Sequence, residues 1–281
     1  MARRRLDAEL VRRGLAPSRT AARELVEAGR VRVSGARALK PARLVDPGEA
    51  LLVEGEGPRF VGRGGDKLQG AIERFGLAVQ GVRALDAGAS TGGFTDCLLQ
   101  HGAREVVALD VGHGQIHERV RADARVVVME RTNLRHVDPA ALGPFDAVVA
   151  DLSFISLTTV MAVLVGCAAP GAWLVLLVKP QFEAGRQEVS RGRGVITDPT
   201  VWRAVLDSVL GAARGAGAAM MGVMVSPLRG ADGNVEFLLH MTRVAAGSGP
   251  AAAEVAPLSA SARDAAALDV VVAEASAGRA S

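Results

Sequence analysis

Four charged residues stand where apolar runs stop. Asp151 follows AVVA, Lys179 follows LLV with Pro180 behind it, and Glu236 opens the run EFLL. Residues 62–76 begin as a Gly-rich turn and continue as a predicted helix with Leu68, Ile72 and Phe75 facing inward, which puts Lys67 in its first turn. A cation at that turn opposes the helix dipole, so local stability does not explain it. A single charge at a strand end is usually just solvated. Two lysines and two carboxylates gathered at one sheet edge can move a proton or stabilise developing charge. They gather only if the last strand runs antiparallel, because its first residue then lies beside the carboxyl ends of the others.

A second stretch, LDAGASTGGFTD (85–96), has the build of a ligand turn. A short buried strand ends near Asp86. Gly88, Ser90, Thr91, Gly92 and Gly93 follow, and a helix starts at Phe94. Glycines let backbone approach a ligand, and the helix start offers unpaired N–H groups. The next strand, Glu105–Leu109, ends in Asp110, about 20 residues past Gly88, where an acid can hold ribose hydroxyls. The glycine spacing is not G-x-G-x-x-G, so a nicotinamide-dependent oxidoreductase lacks its fingerprint.

The elements that must position these residues follow an α/β rhythm. Strands are predicted at 84–87, 105–109, 126–129, 147–150 and 173–178, then at 221–225 and 236–240, with helices between most of them. This is a doubly wound, mostly parallel sheet, with its ligand beyond the carboxyl ends of the strands. Residues 161–178 carry no charge, but Pro170 and Gly171 divide them into a helix, a turn and a buried strand rather than a membrane span. Residues 259–275 can form a helix with Leu268, Val271 and Val272 on one face.

The 281 residues are 49% hydrophobic and only 3% aromatic, with no Tyr, which limits base stacking. Cys97 and Cys167 have no metal-ligand spacing, no metal site is expected, and a reducing cytoplasm is expected. The overall charge of +3 is uneven: residues 1–43 carry about +8, mostly Arg. Such a module suits a polyanion. Within it, two short helices (6–13 and 20–28, the second capped by Ser18) precede an alternating VRVSG.

That first segment resembles the small RNA-binding domain first described in a small-subunit ribosomal protein. The resemblance implies phosphate contacts from Arg4, Arg5, Arg12, Arg13, Arg19, Arg23, Arg30 and Lys40. The whole chain, through about residue 243, resembles the TlyA family, which joins this domain to an FtsJ-like methyltransferase domain. The resemblance is carried by RGGDKL, LDAGASTGGFTD, DVGHGQI, ERTN, DLSFISL, VKPQFE and GNVEF. The family often has His where Asp66 stands and an aromatic where His113 stands. Some of its members bear the name haemolysin, which the absence of a membrane segment does not support.

The resemblance implies an S-adenosylmethionine-dependent enzyme acting on cytidine 2′-hydroxyls of ribosomal RNA, with Lys67, Asp151, Lys179 and Glu236 as the catalytic tetrad. It implies a cofactor cradle of Asp86, Gly88, Ser90, Thr91, Gly92, Gly93, Phe94 and Asp110, with Thr132 and Asn133 near the adenine. Whether Lys179 acts as a neutral base or as a cation beside the alkoxide is open at this stage. The competing function is a non-enzymatic RNA-binding assembly factor. The expected division is an RNA-binding domain at 1–57, a linker at 58–65, a methyltransferase domain at 66–243 and an Ala-rich tail at 244–281. A mobile loop near RNA is expected after Phe182.

Overall fold

A computed structural model describes residues 3–16, 19–55, 58–185, 194–230, 233–245 and 257–278. Most of the loop expected after Phe182, and the Ser18 cap, lie outside these residues. The chain forms two compact units, divided between Arg59 and Phe60.

The first unit opens with β1 (Arg4–Arg5) and helix α1 (Leu6–Arg12), then α2 (Arg19–Glu27). The strands β2 (Val31–Val33), β3 (Ala36–Arg37), β4 (Leu44–Val45) and β5 (Leu51–Val53) complete it. β2 is the middle strand of an antiparallel sheet with β3 and β5, and β1 pairs with β4. Leu6 and Leu10 share one face of α1 and are buried with Ala22, Leu25 and Val26 of α2 and with Val31 and Val33. Two carboxylates are buried with them, Asp7 and Glu9.

The second unit holds α3 (Gly64–Phe75), β6 (Arg83–Ala87), α4 (Gly93–Gln100), β7 (Glu105–Leu109), β8 (Val126–Met129), β9 (Phe145–Ala150), β10 (Ala168–Val178), β11 (Ala218–Val225) and β12 (Phe237–Arg243). Its seven-stranded sheet has the order β11-β12-β10-β9-β6-β7-β8. β6, β7, β8, β9 and β10 run parallel, and β12 runs antiparallel to both neighbours. The alternation within each strand sorts its side chains between two cores. Val148 and Ala150 face the helices Leu157–Cys167 and Pro199–Gly215, while Ala147 and Val149 face α3 and α4.

The uncharged stretch 161–178 resolves into the end of a helix and a central strand, and among the described residues no helix is long and apolar enough to cross a membrane. The Ala-rich tail contributes a helix, Pro257–Ala277, whose Leu268, Val271, Val272 and Ala275 are buried in the core. An ion pair from Arg214 to Asp264 at 2.5 Å fastens it.

The stretch 58–65 is not the linker its Gly and Arg content suggested. Phe60 is buried in the large unit's core, and the Val61 N–H donates to Asp96 Oδ2 at 2.8 Å. Gly65 is glycine because a Cβ there would lie 2.3 Å from the Phe60 ring. The apolar pair Phe60-Val61 was the signal for this packing.

Glu9 accepts from Arg12 and Arg13, and these bonds lower its carboxyl from the ordinary 4.5 to about 2. A lowered carboxyl stabilises the fold above its unfolded value, and that contribution is lost as pH falls through the folded value. Amide protection in α1, corrected for intrinsic exchange, should therefore fall between pH 4.5 and about 2. Glu9→Gln should be less protected at neutral pH and flatter across this window. An equally steep fall in Glu9→Gln would assign the acid sensitivity to another group.

Candidate active site

Strand order makes the site. From β6 the chain moves outward through β7 and β8, then returns to place β9 on the other side of β6. The crevice between β6 and β9 is therefore the switch point where open α/β sheets take ligands. The glycine turn starts there. The Asp151 N–H donates to Ala87 O at 3.1 Å, and Gly88 has φ +86°; a Cβ on it would lie 2.7 Å from Asp151 O. Only glycine fits both the left-handed backbone and that approach.

A cavity of about 200 Å³ opens at this point, walled by Gly88, Ser90, Thr91, Gly93, Asp151 and Lys179, among others. Gly64 at the start of α3 also lines it, and a Cβ there would be 3.6 Å from Asp151 Oδ2. Asp110 braces the turn: its Oδ2 accepts from Ser90 N at 2.8 Å and its Oδ1 from Gly112 N at 2.6 Å. Each oxygen keeps a further lone pair. Thr132 and Asn133 stand apart from this wall. Thr132 donates its hydroxyl to Glu130 O, and Asn133 caps a short 3-10 turn through Arg135 N.

The four charged residues come together as two ion pairs: Asp151 with Lys179, just past the ends of β9 and β10, and Lys67 of α3 with Glu236, just before β12. Lys179 Nζ lies 2.5 Å from Asp151 Oδ1 and donates to Ser153 Oγ at 3.0 Å. Lys67 Nζ lies 2.5 Å from Glu236 Oε2. Register explains the grouping. Val178 pairs with Phe237, so Lys179 and Glu236 are the next facing positions and point to the same side. The pairs are not equivalent: Lys67 and Glu236 are buried outside the cavity wall, whereas Lys179 and Asp151 line it.

The structure adds residues to which the sequence reading gave no role. Phe154, in the loop after Asp151, is 91% exposed and has φ +64°, a left-handed conformation costly for a bulky side chain. Its ring meets Phe182 at 5.2 Å, and Lys179 Nζ sits 5.8 Å from the Phe182 ring centre. Glu183 ties the two loops, accepting from Ser156 Oγ at 2.5 Å and Leu157 N at 2.7 Å, while burial raises its carboxyl. These residues lie inside DLSFISL and VKPQFE, so the motifs pointed to them, but only backbone geometry distinguishes Phe154.

Asp86 is fully buried behind the turn. Its Oδ2 accepts the Thr95 hydroxyl at 2.6 Å, and its Oδ1 has no hydrogen-bond partner. Burial raises its carboxyl to about 7, opposed by the Thr95 hydrogen bond and reinforced by the charges of Asp151 and Asp110.

On the small unit the arginines divide. Arg4, Arg12, Arg19, Arg23 and Lys40 are exposed, and Arg5 is half-buried. Arg13 is otherwise engaged: Nε donates to Glu9, Nη1 to Glu49 O and Nη2 to Pro47 O, so it ties α1 to the turn before β5 rather than facing phosphate. Arg30 likewise donates to Glu54 O at 2.8 Å.

A doubly wound sheet with an acid-braced glycine turn at its switch point, and lysine–carboxylate pairs beside it, is the build of a nucleotide-binding α/β domain that lacks the dinucleotide glycine spacing. Comparison with known proteins narrows it. An FtsJ-like methyltransferase model matches residues 60–243, and an S4 domain model matches residues 4–51. A Mycobacterium tuberculosis protein, 16S/23S rRNA (cytidine-2′-O)-methyltransferase TlyA, is 54% identical over 86% of this chain and 91% of its own length. A Campylobacter jejuni 23S rRNA (cytidine-2′-O)-methyltransferase TlyA is 31% identical over 72% of this chain and 80% of its own. A solved Streptococcus thermophilus structure superposes with a TM-score of 0.72 at 36% identity, covering 98% of this chain and 96% of that one. The chain belongs to the FtsJ-like methyltransferases and, among them, to the TlyA family.

The buried Asp86 makes a testable link to stability. Between pH 3.8 and about 7 the folded carboxyl keeps a proton that the unfolded one has lost, so stability falls as pH rises through that window. Asp86→Asn does not titrate. It should raise the melting temperature at pH 8 and change it much less at pH 5. Equal gains at both values would mean that Asp86 is not the titrating group.

Proposed function

We propose that this chain transfers the methyl group of S-adenosylmethionine to a cytidine ribose 2′-hydroxyl in ribosomal RNA, in the cytoplasm. The observation that carries the reading is the Lys179–Asp151 pair at the wall of the switch-point cavity, with the buried Lys67–Glu236 pair on the neighbouring strand.

The cavity suits this cofactor on electrostatic grounds. Asp86, Asp110 and Asp151 cluster around the turn, and Asp86 keeps an oxygen with no hydrogen-bond partner. S-adenosylmethionine brings two positive centres, a sulfonium and an ammonium, and carries an already activated methyl group. Gly88, Ser90, Thr91, Gly92, Gly93 and Phe94 would hold its methionine end and the free lone pairs of Asp110 its ribose, while Asp86, buried behind the turn, would shape the turn or meet the amino group through water. Thr132 and Asn133 lie on the loop after β8 and are the adenine-side candidates.

A ribose hydroxyl is a weak nucleophile, so the chain's work is alignment and charge stabilisation. Lys179, fixed by Asp151 and Ser153, would stand beside the 2′-oxygen, either stabilising the charge that grows there while the proton leaves to water, or, as a neutral amine, taking the hydroxyl proton itself as the methyl is transferred. Glu236 holds Lys67 beside the same sheet edge, which adds a second fixed cation behind the first. Phe154 offers an exposed ring at the rim, a face on which an unstacked base can lie. The small unit's exposed arginines meet phosphates and place the RNA.

Lys179→Ala should slow single-turnover methyl transfer by about 10²–10⁴-fold while S-adenosylmethionine and RNA still bind. Lys179→Arg should rescue poorly, since a guanidinium is bulkier than an ammonium. Transfer within a few-fold of wild type would remove Lys179 from the mechanism. Transfer absent in the wild-type chain, with RNA binding intact, would favour an assembly factor. In calorimetry, S-adenosylmethionine should bind and NAD should not. Asp110→Ala should weaken the cofactor by roughly 1–3 kcal/mol.

A further inference from the structure

Asp7 counts against RNA binding in any tally of charge, since it is an acid inside a basic module. Its surroundings reverse that reading. The side chain is fully buried in the first turn of α1, and three guanidiniums bury it. Arg5 grips it with two parallel bonds, Nε to Oδ1 at 3.1 Å and Nη2 to Oδ2 at 2.8 Å. Arg19 and Arg23, one turn apart on α2, reach the same Oδ2 at 3.2 and 3.5 Å. The Ala8 N–H completes the shell at 2.8 Å. The Arg5 hydrogen bond holds the carboxyl far below its ordinary range against the burial that opposes it, so the hub stays ionised.

Three guanidiniums on one carboxylate leave a local excess of two positive charges. Without the carboxylate, three cations this close would repel one another and spread into solvent. With it, they stay gathered, and their side chains are still 41%, 58% and 55% exposed. Each guanidinium has five N–H groups and Asp7 takes one or two, so outward donors remain on all three. A convergent, pre-ordered set of guanidinium donors is what a phosphodiester recognises, since phosphate accepts in the same forked geometry as carboxylate.

We propose that Asp7 is the positioning residue of a phosphate site on the small unit, gathering Arg5, Arg19 and Arg23 to receive a backbone phosphate of folded RNA. This rests on the RNA-binding reading of the small unit and sharpens it: the site is one defined contact, not a diffuse basic face. It also explains why a basic module buries an acid at the junction of its two helices.

The test has a sign that simple electrostatics gets wrong. Asp7→Asn makes the chain one unit more positive, so a diffuse basic surface would bind RNA more tightly. The hub predicts the reverse. Binding of a short fluorescent RNA hairpin to the full chain should weaken about five- to tenfold at 0.1 M salt, and the salt slope should shrink by about one. Equal or tighter binding would overturn the proposal. Arg19→Ala with Arg23→Ala, measured alongside, separates it from the reading it rests on. If that pair leaves affinity and slope unchanged, this face does not meet RNA at all. If the pair weakens binding and Asp7→Asn does not, RNA binds here without the hub. Should Asp7→Asn fail to fold, the wild-type chain still decides. On adding the hairpin, the Nε–H resonances of Arg5 and Arg23 should shift together, while that of Arg13, held by Glu9, stays put. Arg5 and Arg23 signals that do not move with bound RNA would also overturn it.

Discussion

A lysine that ends a fully apolar strand needs a counter-charge, and that requirement organises the large unit. Lys179 closes β10, whose last residues are buried on both faces. Its partner is at hand because β9 lies next to β10 and delivers Asp151 at the same level. β9 can lie there only because the chain reverses its direction of travel across the sheet at β6. The same reversal opens the crevice where the glycine turn lies. The strand-end lysine and the glycine turn are thus two results of one topological choice, and Asp151 touches both, its side chain facing Lys179 and its backbone meeting the turn.

Carboxylates do much of the construction in both units. In the large unit Asp110 joins two loops through their amides, Glu183 joins the loop after β9 to the loop after β10, and Asp96 ties the residues before α3 to α4. In the small unit Asp7 and Glu9 collect the arginines. An acid that accepts several directed bonds fixes geometry in a way apolar contact does not, because each lone pair accepts from one direction. The two units differ in what they hold ready: the large one backbone and cation around a small cavity, the small one guanidiniums toward solvent.

Much of this was legible in the sequence, for identifiable reasons. The strands showed because unbroken apolar runs and the charges that end them are local, and β12 does run antiparallel, which brings Glu236 level with Lys179. The glycine turn showed because close backbone approach leaves glycines behind. What was hidden depended on contacts distant in sequence. Phe60 and Val61 looked like linker because Gly and Arg flank them, although their partners are Gly65 and Asp96. Arg13 looked like every other arginine, although four carbonyl and carboxylate oxygens claim it. Phe154 was given no role, because composition does not show a left-handed backbone that turns the ring outward.

The placement of the aromatic residues has a consequence for how the molecule can be watched. Residues 1–59 contain no Phe, Trp or Tyr, and both tryptophans lie in the large unit. Trp202 is fully buried, its indole N–H donating to Ile196 O at 3.2 Å, and Trp173 donates to Ala78 O at 3.3 Å. Ultraviolet fluorescence therefore reports on one unit and is blind to the other. An unfolding curve recorded that way would look two-state whether or not the small unit had already melted. Agreement between tryptophan emission and a backbone probe, the usual sign of a single transition, carries extra weight in this chain.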